Sequence, residues 1–313
     1  MKIVKLGLSL FLFIILVGCG QTDQSNQNNN EKLVFNNYGR TLEITQVPQK
    51  VLTLGPNCSE LFCALGLEDY IIGNSLDNHS RGPLAEYKAA YDKILELNYS
   101  SATREAVMTS GADFIYGIDW EFGDEALSLD ELSQFGIKAY VNSASSLEEI
   151  YQEISDLGKI FQIEERSEAF IKEQKQRIQH IQDIVSKQKP LKVLVYDSGG
   201  NGVFTCSGTN FESLLIQQSG GQNIFNDLQD AQWVTVSSEE VLSRQPDVIV
   251  VHDYDSPSLK EKITEMKNDP ALSQLDCVKN NRIVSIALES VLPGDRMAYA
   301  VETLAKGFYP DLF

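Results

Sequence analysis

The segment from Glu164 to Lys187 constrains the fold of this chain more than any other. It contains no glycine or proline, and its apolar residues recur at steps of three and four; they are Ala169, Phe170, Ile178, Ile181, Ile184 and Val185. That spacing predicts one amphipathic helix, which would span roughly 36 Å at about 1.5 Å per residue and stop before Pro190. Short β-rich runs alternate with helical runs on both sides of it. The pattern predicts two α/β lobes that the helix holds at a nearly fixed distance, with a ligand site in the cleft between them.

The charge of the chain limits its partners. The 313 residues include 44 Asp and Glu against 26 Lys and Arg, which gives a formal net charge of -18 at pH 7. Phosphate contacts need clustered Lys and Arg, so this balance argues against nucleic acid and against an anionic membrane surface. The length exceeds the usual size of one hydrophobic core, which favours two lobes. We expect a soluble, exported monomer.

The N-terminus carries an export signal. Lys2 and Lys5 precede an apolar run from Leu6 to Val17, which is too short to span a bilayer as a stable helix and is typical of a secretory signal peptide. Gly18 and Cys19 follow the run, and the whole segment resembles the bacterial lipoprotein signal, in which the cysteine is lipidated. Residues 1–18 are therefore expected to be a signal peptide, and residues 19–32 a lipidated cysteine and flexible tether. The mature protein would be anchored by lipid at the outer face of the cytoplasmic membrane.

The rest of the chain predicts two Rossmann-like lobes with parallel sheets. We assign residues 33–146 to an N-terminal lobe, 147–189 to a helical connector that contains the long helix, and 190–313 to a C-terminal lobe. A hairpin that turns at Gly39-Arg40 begins the first lobe. Short apolar runs, most of them followed by a helical segment, predict parallel strands. These runs are residues 50–56, 70–74, 113–117, 137–142, 191–197, 202–208, 247–251 and 282–286.

Four cysteines remain once Cys19 is assigned to the lipid anchor. They are Cys58, Cys63, Cys206 and Cys277. Their spacing fits no zinc pattern, and a chain of this length can fold on its core alone, so buried thiols are favoured and a disulfide is the alternative.

Several motifs, in this order, resemble those of a known family. The segments TLGPNCSELFCALGL, REAVMTSGADFIYG, SGGQNIF and SSEEVLSRQPDVIVV accompany the single long helix. Together they resemble the helical-backbone, class III substrate-binding proteins of ABC importers, the receptors for ferric siderophores, haem and cobalamin. The resemblance covers the chain from about Val51 to Phe313, and the lipoprotein signal fits it. It implies that an ABC permease dimer with its ATPase is the partner, and that the ligand lies beyond the carboxyl ends of the parallel strands.

The resemblance also implies one acidic docking residue in each lobe. Glu105 and Glu239 stand at the same spacing before Ala112-Asp113 and Pro246-Asp247, where the family carries a glutamate that meets arginine pockets of the permease. The first half departs from the pattern by having Ala112 where proline is usual. Alternatively, both are helix N-terminal acids, with residues 237–240 forming a capping box. Glu60 is a rival for the first docking role, although its place beside a helix cap favours a structural one.

Candidate ligand-binding residues lie on the loops that follow strands. These are Asn57, His79, Arg81, Trp120, Phe122, Phe204, Trp233, Tyr254 and Arg296. For the two tryptophans, packing between the lobes is an equal alternative.

The same candidates bear on the chemistry of the ligand. Only two of them, Arg81 and Arg296, are cations, whereas a catecholate complex would need several, so a near-neutral ferric hydroxamate or a corrinoid is favoured as bound ligand. Haem is the other alternative, with His79, His252 or Tyr254 as axial ligand. Too few histidines are present for a free-metal receptor, and we expect no intrinsic cofactor. The chain has no G-x-S-x-G motif and no P-loop, so we expect no enzyme and no catalytic residue. A sensory surface lipoprotein without transport is the alternative of another class.

Overall fold

The computed structural model describes residues 32–123 and 126–313. The predicted signal peptide and Cys19 lie outside the described residues. The strands are β1 Leu33–Asn37, β2 Arg40–Ile44, β3 Val51–Leu54, β4 Ile71–Ser75, β5 Glu96–Asn98, β6 Phe114–Ile118, β7 Lys138–Asn142, β8 Leu191–Tyr196, β9 Val203–Cys206, β10 Gly221–Asn223, β11 Trp233–Val236, β12 Val248–Asp253 and β13 Ile283–Ala287.

Helices alternate with most of these strands. They are α1 Cys58–Ala64, α2 Lys88–Tyr91, α3 Arg104–Thr109, α4 Leu129–Gln134, α5 Leu147–Ile160, α6 Glu164–Val185, α7 Phe211–Gln218, α8 Ser238–Arg244, α9 Leu259–Asn268, α10 Asp276–Lys279 and α11 Met297–Phe308. None of the described helices has the length and apolarity needed to cross a membrane.

Two parallel sheets confirm the predicted fold class. The first has the order β5-β4-β3-β6-β7, and the second has the order β10-β8-β12-β13. Every strand pair within them is parallel. The central strands β3 and β6 are buried along their whole length, which explains their continuous apolar runs, since helices cover both faces of a parallel sheet.

Two local predictions were wrong. The hairpin of β1 and β2 turns at Tyr38 and Gly39, which both adopt positive φ, and not at Gly39-Arg40. Residues 202–208 contain β9, which pairs antiparallel with β11 outside the parallel sheet. The linker from β8 to β9 is too short for the crossover that a parallel partner requires.

The long helix α6 forms as predicted but ends at Val185, two residues before Lys187. At about 1.5 Å per residue it spans roughly 33 Å. Its buried face includes Ile178, Ile181 and Val185, whereas Ala169 is exposed and polar side chains are buried in the first half. Gln174 accepts a hydrogen bond from the backbone amide of Ala298 at the start of α11 (3.0 Å), a long-range contact that apolar periodicity cannot reveal.

The four described cysteines are free thiols and all are buried, which is the favoured alternative of the sequence analysis. Burial raises the pKa of the Cys58 and Cys206 thiols well above the ordinary value, so these groups stay protonated and unreactive.

Candidate ligand-binding cleft

A cleft of about 360 Å³ lies where the carboxyl ends of the strands of both sheets meet. The first half of the chain contributes the last residues of β6 and β7 and the residues that follow them, together with Tyr38 from the hairpin. The second half contributes the start of α7, the start of β11 and the segment after β13. The lining is Tyr38, Ile118, Asp119, Trp120, Phe122, Asn142, Ser143, Ala144, Asn210, Phe211, Gln232, Trp233, Val291, Leu292 and Pro293.

The chemistry of this lining is aromatic and neutral, with one acid. No lysine, arginine or histidine occurs among the described lining residues, and Asp119 is their single carboxylate. Burial raises the pKa of Asp119, and hydrogen bonds from the backbone amides of Trp120 and Asp119 partly offset that rise. A ligand with several negative charges would find no partner for them here.

Trp233 is held in place from behind. Its ring stacks on Phe204, with centroids 5.5 Å apart and planes at 21°, and it meets the His252 ring edge-on at 5.8 Å. Phe204 does not line the cleft but supports a residue that does. Stacking of this kind limits the ring to one orientation and prepares the surface that a ligand would contact.

His252 forms the centre of a buried polar network. Its Nδ1 lies 2.9 Å from an Asp197 oxygen, and its Nε2 lies 3.0 Å from a Glu212 oxygen. Tyr254 donates its hydroxyl to Asp197 (2.9 Å), and Lys262 donates to the backbone oxygen of His252 (2.8 Å). Burial lowers the pKa of His252, but the carboxylates of Glu212 and Asp197 more than compensate and raise it to about 9. The ring is therefore an imidazolium at neutral pH, and both of its nitrogens donate.

This network bears on the haem alternative. Both nitrogens of His252 and the hydroxyl of Tyr254 form hydrogen bonds with carboxylates. In this arrangement neither side chain has a free atom to coordinate a haem iron. His79 stacks on Tyr254 at 5.6 Å and its Nδ1 contacts Asn78. None of these three candidates lines the cleft.

The two predicted cleft arginines join the halves of the molecule instead. Arg81 donates to Asp253 (2.8 Å) and to the backbone oxygen of Tyr254 (2.8 Å). Arg296 is buried and pairs with Glu60 through its Nε (2.9 Å) and with Glu289 through an Nη (3.2 Å). Their charges are therefore already neutralised. Glu60 is committed to the same pairing and is buried, which leaves it unable to meet a permease.

Asn57 also lies behind the cleft wall. Its amide donates to the side-chain oxygen of Asn142 (2.9 Å) and to the backbone oxygen of Pro293 (2.7 Å). Both partners line the cleft, one on each side of it. Asn142 in turn donates to Glu153 (2.8 Å), so a chain of buried hydrogen bonds fixes this part of the lining.

The structure thus brings three of the nine predicted ligand residues together in the cleft, namely Trp120, Phe122 and Trp233. The remaining six lie beside it or behind it. Asn142 and Ser143 were missed, although the strand-end rule applied to β7 would have found them. The segment 291–293 lies in the loop after β13 that also contains Arg296, so the same rule would have included it. Phe211 carries no comparable signal, because it begins a helix and reaches the cleft only through the tertiary fold.

The two predicted docking acids occupy equivalent positions. Glu105 is the second residue of α3, which Thr103 caps, and Glu239 is the second residue of α8, which Ser237 caps. Both are exposed, and neither carboxylate forms an ion pair with any described residue. The capping box expected over residues 237–240 is only half formed, because the Glu240 side chain pairs with Arg244 (2.9 Å).

Comparison with known proteins agrees with this architecture. Among the relatives, the uncharacterized ABC transporter substrate-binding lipoprotein YvrC of Bacillus subtilis is 24% identical over 97% of this chain and 96% of its own length. A vitamin B12-binding protein of Photorhabdus laumondii is 27% identical over 71% of this chain and 81% of its own length. The crystal structure of a periplasmic binding protein from Veillonella parvula superposes with a TM-score of 0.80 at 23% identity, covering 89% of this chain and 98% of that one. A model of the periplasmic binding protein family matches residues 51–288, and because that match spans most of the chain and both parallel sheets, the chain belongs to the periplasmic binding protein family, as its sequence motifs indicated.

Proposed function

We propose that this protein is the extracytoplasmic substrate-binding component of an ABC importer, and that it captures a ferric siderophore of the hydroxamate type. It would deliver the chelate to a permease dimer with its ATPase without changing it chemically. The observation that carries the ligand class is the lining of the cleft, whose described residues combine aromatic and neutral polar groups with a single carboxylate and no cation. A near-neutral, bulky chelate matches such a surface, since it can bury apolar area against the aromatic rings and needs no buried counter-charge.

Two other ligand classes fit the lining less well. A ferric catecholate is strongly anionic, and haem carries two carboxylates. Either would place negative charge against Asp119, and the lining residues that the structure describes include no lysine or arginine to compensate it.

A corrinoid is the second candidate, and one observation favours it. A relative at 27% identity is named a vitamin B12-binding protein. A corrinoid also presents a large and nearly neutral surface, which the aromatic lining could cover. The cleft volume of about 360 Å³ lies near the lower end of small-molecule pockets and favours the smaller hydroxamate chelate.

The anchoring of the protein is part of the same proposal. Residues 1–18 would be removed as a signal peptide, and Cys19 would carry lipid and begin a tether that reaches residue 32. The folded body, acting as a monomer, would then stay at the outer face of the cytoplasmic membrane. The lipoprotein signal in the sequence supports this, as does the lipoprotein description of the relative YvrC.

The ligand assignment can be tested on the purified protein by titration. Intrinsic fluorescence is a suitable signal, because both tryptophans of the chain line the cleft. We expect saturable quenching by a ferric trihydroxamate at submicromolar concentration, with calorimetry confirming one site. A ferric catecholate, haem and bare metal ions should bind weakly or not at all. Binding of cobalamin alone would identify the ligand as a corrinoid. Absence of binding by every compound would contradict the hydroxamate and the corrinoid assignments alike.

Trp233→Ala should weaken binding of the chelate by at least tenfold, because a large aromatic contact of this kind contributes more than about 1.4 kcal/mol. Phe135→Ala is the matched control, since Phe135 is an exposed aromatic ring outside the cleft and its removal should leave affinity unchanged. Equal affinities for the two variants would mean that the ligand lies elsewhere.

Docking to the permease makes a separate prediction. Glu105→Ala combined with Glu239→Ala should leave ligand affinity intact and lower uptake into cells at least tenfold, because charge pairs of this kind orient the partners and speed their encounter. Asp276→Ala combined with Asp311→Ala removes the same charge from other exposed sites and should leave uptake near normal. A fall in ligand affinity in the first double variant would instead assign these glutamates to the binding site.

A further inference from the structure

We infer that the cleft selects chelates that carry a positive charge, and that Asp119 is the residue that sets this preference. The inference rests on the proposed function, which it deepens by stating the charge of the preferred ligand. A neutral lining alone would accept neutral and cationic chelates alike, so a preference for cations must come from Asp119 and from the charges around it.

Asp119 is placed to meet a ligand. It is the first residue after β6 and opens the short helical turn Asp119–Glu121, at the carboxyl end of a central strand. Its side chain is half-buried in the cleft wall, and no cation among the described residues forms an ion pair with it. A half-buried carboxylate with no counter-charge is costly for the empty protein, and a bound cation would relieve that cost.

The cations around the cleft in the described part of the chain are offset by nearby carboxylates, so they do not favour an anion. Arg81 is paired with Asp253, and Arg296 lies between two glutamates. His252, which stands behind Trp233, and the neighbouring Lys262 are two cations that face the two carboxylates of Asp197 and Glu212, so the charges there balance. Electrostatic focusing in a narrow, low-dielectric cleft should therefore raise the local concentration of positively charged ligands.

The aromatic lining acts in the same direction. Tyr38, Trp120, Phe122, Phe211 and Trp233 all line the cleft that contains Asp119. The faces of aromatic rings carry partial negative charge and attract ammonium groups, most strongly where water is excluded. A carboxylate among several aromatic rings stabilises a bound cation and offers an anion no favourable electrostatic contact.

The experiment compares ligands that share one ferric trihydroxamate core and differ in the charge of the group at one chain end. A linear ferric trihydroxamate with a free terminal amine is cationic, its N-acetylated form is neutral, and its N-succinylated form is anionic. A corrinoid pair, cationic with a water ligand and neutral with cyanide, serves if the ligand is a corrinoid. Calorimetric titration of the full protein at low and moderate salt gives the affinity ratios. We expect the cationic form to bind at least about tenfold more tightly than the neutral form, and the anionic form to bind most weakly.

Asp119→Asn keeps the shape of the side chain and removes its charge. We expect the preference for the cation to shrink to about threefold, the part that the aromatic rings supply, while affinity for the neutral form stays as in the unchanged protein. That retained affinity also shows that the variant folds. Asp276→Asn removes an acid whose side chain is 85% exposed and should keep the full preference.

The outcomes separate the inference from the proposed function. Binding of either ligand series without regard to charge would overturn the inference and leave the proposed function standing. A cation preference that survives in Asp119→Asn would overturn the role of Asp119. Failure of every member of both series to bind would contradict the proposed function, and the inference would fall with it.

Discussion

Replacing Arg296 by methionine is expected to lower the free energy of unfolding by about 3–5 kcal/mol, the range seen when one partner of a buried ion pair is removed. Arg296 is buried and holds Glu60 and Glu289, and it also donates to Ser290 (3.0 Å) and to the backbone oxygen of Gly82 (2.6 Å). Methionine fills most of the volume but leaves two buried carboxylates without a cation.

The acids around Arg296 show why this loss should be large. Burial raises the pKa of Glu289, and Arg296 partly offsets the rise. Burial and the neighbouring Glu60 raise the pKa of Asp295 well above its usual range. Without the guanidinium the glutamates must take up protons or draw in water, and either response costs free energy.

The measurement is urea unfolding at pH 7, followed by circular dichroism. Arg177→Met is the matched control, because Arg177 forms an ion pair with Glu302 in which the side chains are 34% and 26% exposed. Pairs as exposed as this contribute about 1 kcal/mol or less. A loss below 1 kcal/mol for Arg296→Met would show that water or local rearrangement compensates the carboxylates.

The stability of the protein should also fall as the pH rises above 6.5, and His252 is the cause. Its pKa is raised to about 9 in the folded protein, against about 6.5 in the unfolded chain. The folded state therefore binds this proton more tightly. The stabilisation is fully present below about pH 6.5 and is lost as the pH rises toward 9, for a total of about 3 kcal/mol.

The cleanest window for this measurement is pH 7 to 8. Burial raises the pKa of Glu153 to about 7, so this group changes the stability of the protein mainly at pH values below 7. Burial lowers the pKa of Lys262 to about 8. Loss of its proton raises the stability with pH, which opposes the effect of His252, but mainly above pH 8. Between pH 7 and 8 we expect the free energy of unfolding to fall by about 1 kcal/mol per pH unit.

Two substitutions check the assignment to His252. His252→Gln should be less stable at pH 7 and should lose most of the slope between pH 7 and 8. His180→Gln alters an exposed histidine on α6 and should keep that slope unchanged. A slope that persists in His252→Gln would assign the proton to another group.

Local sequence patterns were sufficient to predict the scaffold of this protein. The three- and four-residue spacing of Ile178, Ile181 and Val185 predicted α6, and continuous apolar runs predicted the central parallel strands. The matching positions of Glu105 and Glu239 were also visible in the sequence. These features depend on local rules, since helix periodicity, strand burial and helix capping each act over a few residues.

The identity of the residues that line the cleft depends instead on contacts between distant parts of the chain. The strand-end rule could not separate Trp120, which lines the cleft, from Arg81 and Arg296, which do not. Trp233 also lines the cleft, but it begins β11 instead of following a strand. The carboxylates that pair with the two arginines lie far away in the sequence. Asp253 is 172 residues from Arg81, and Glu60 is 236 residues from Arg296. An arginine is available to a ligand only if no buried carboxylate has already neutralised it, and that depends on which distant segments the fold brings together.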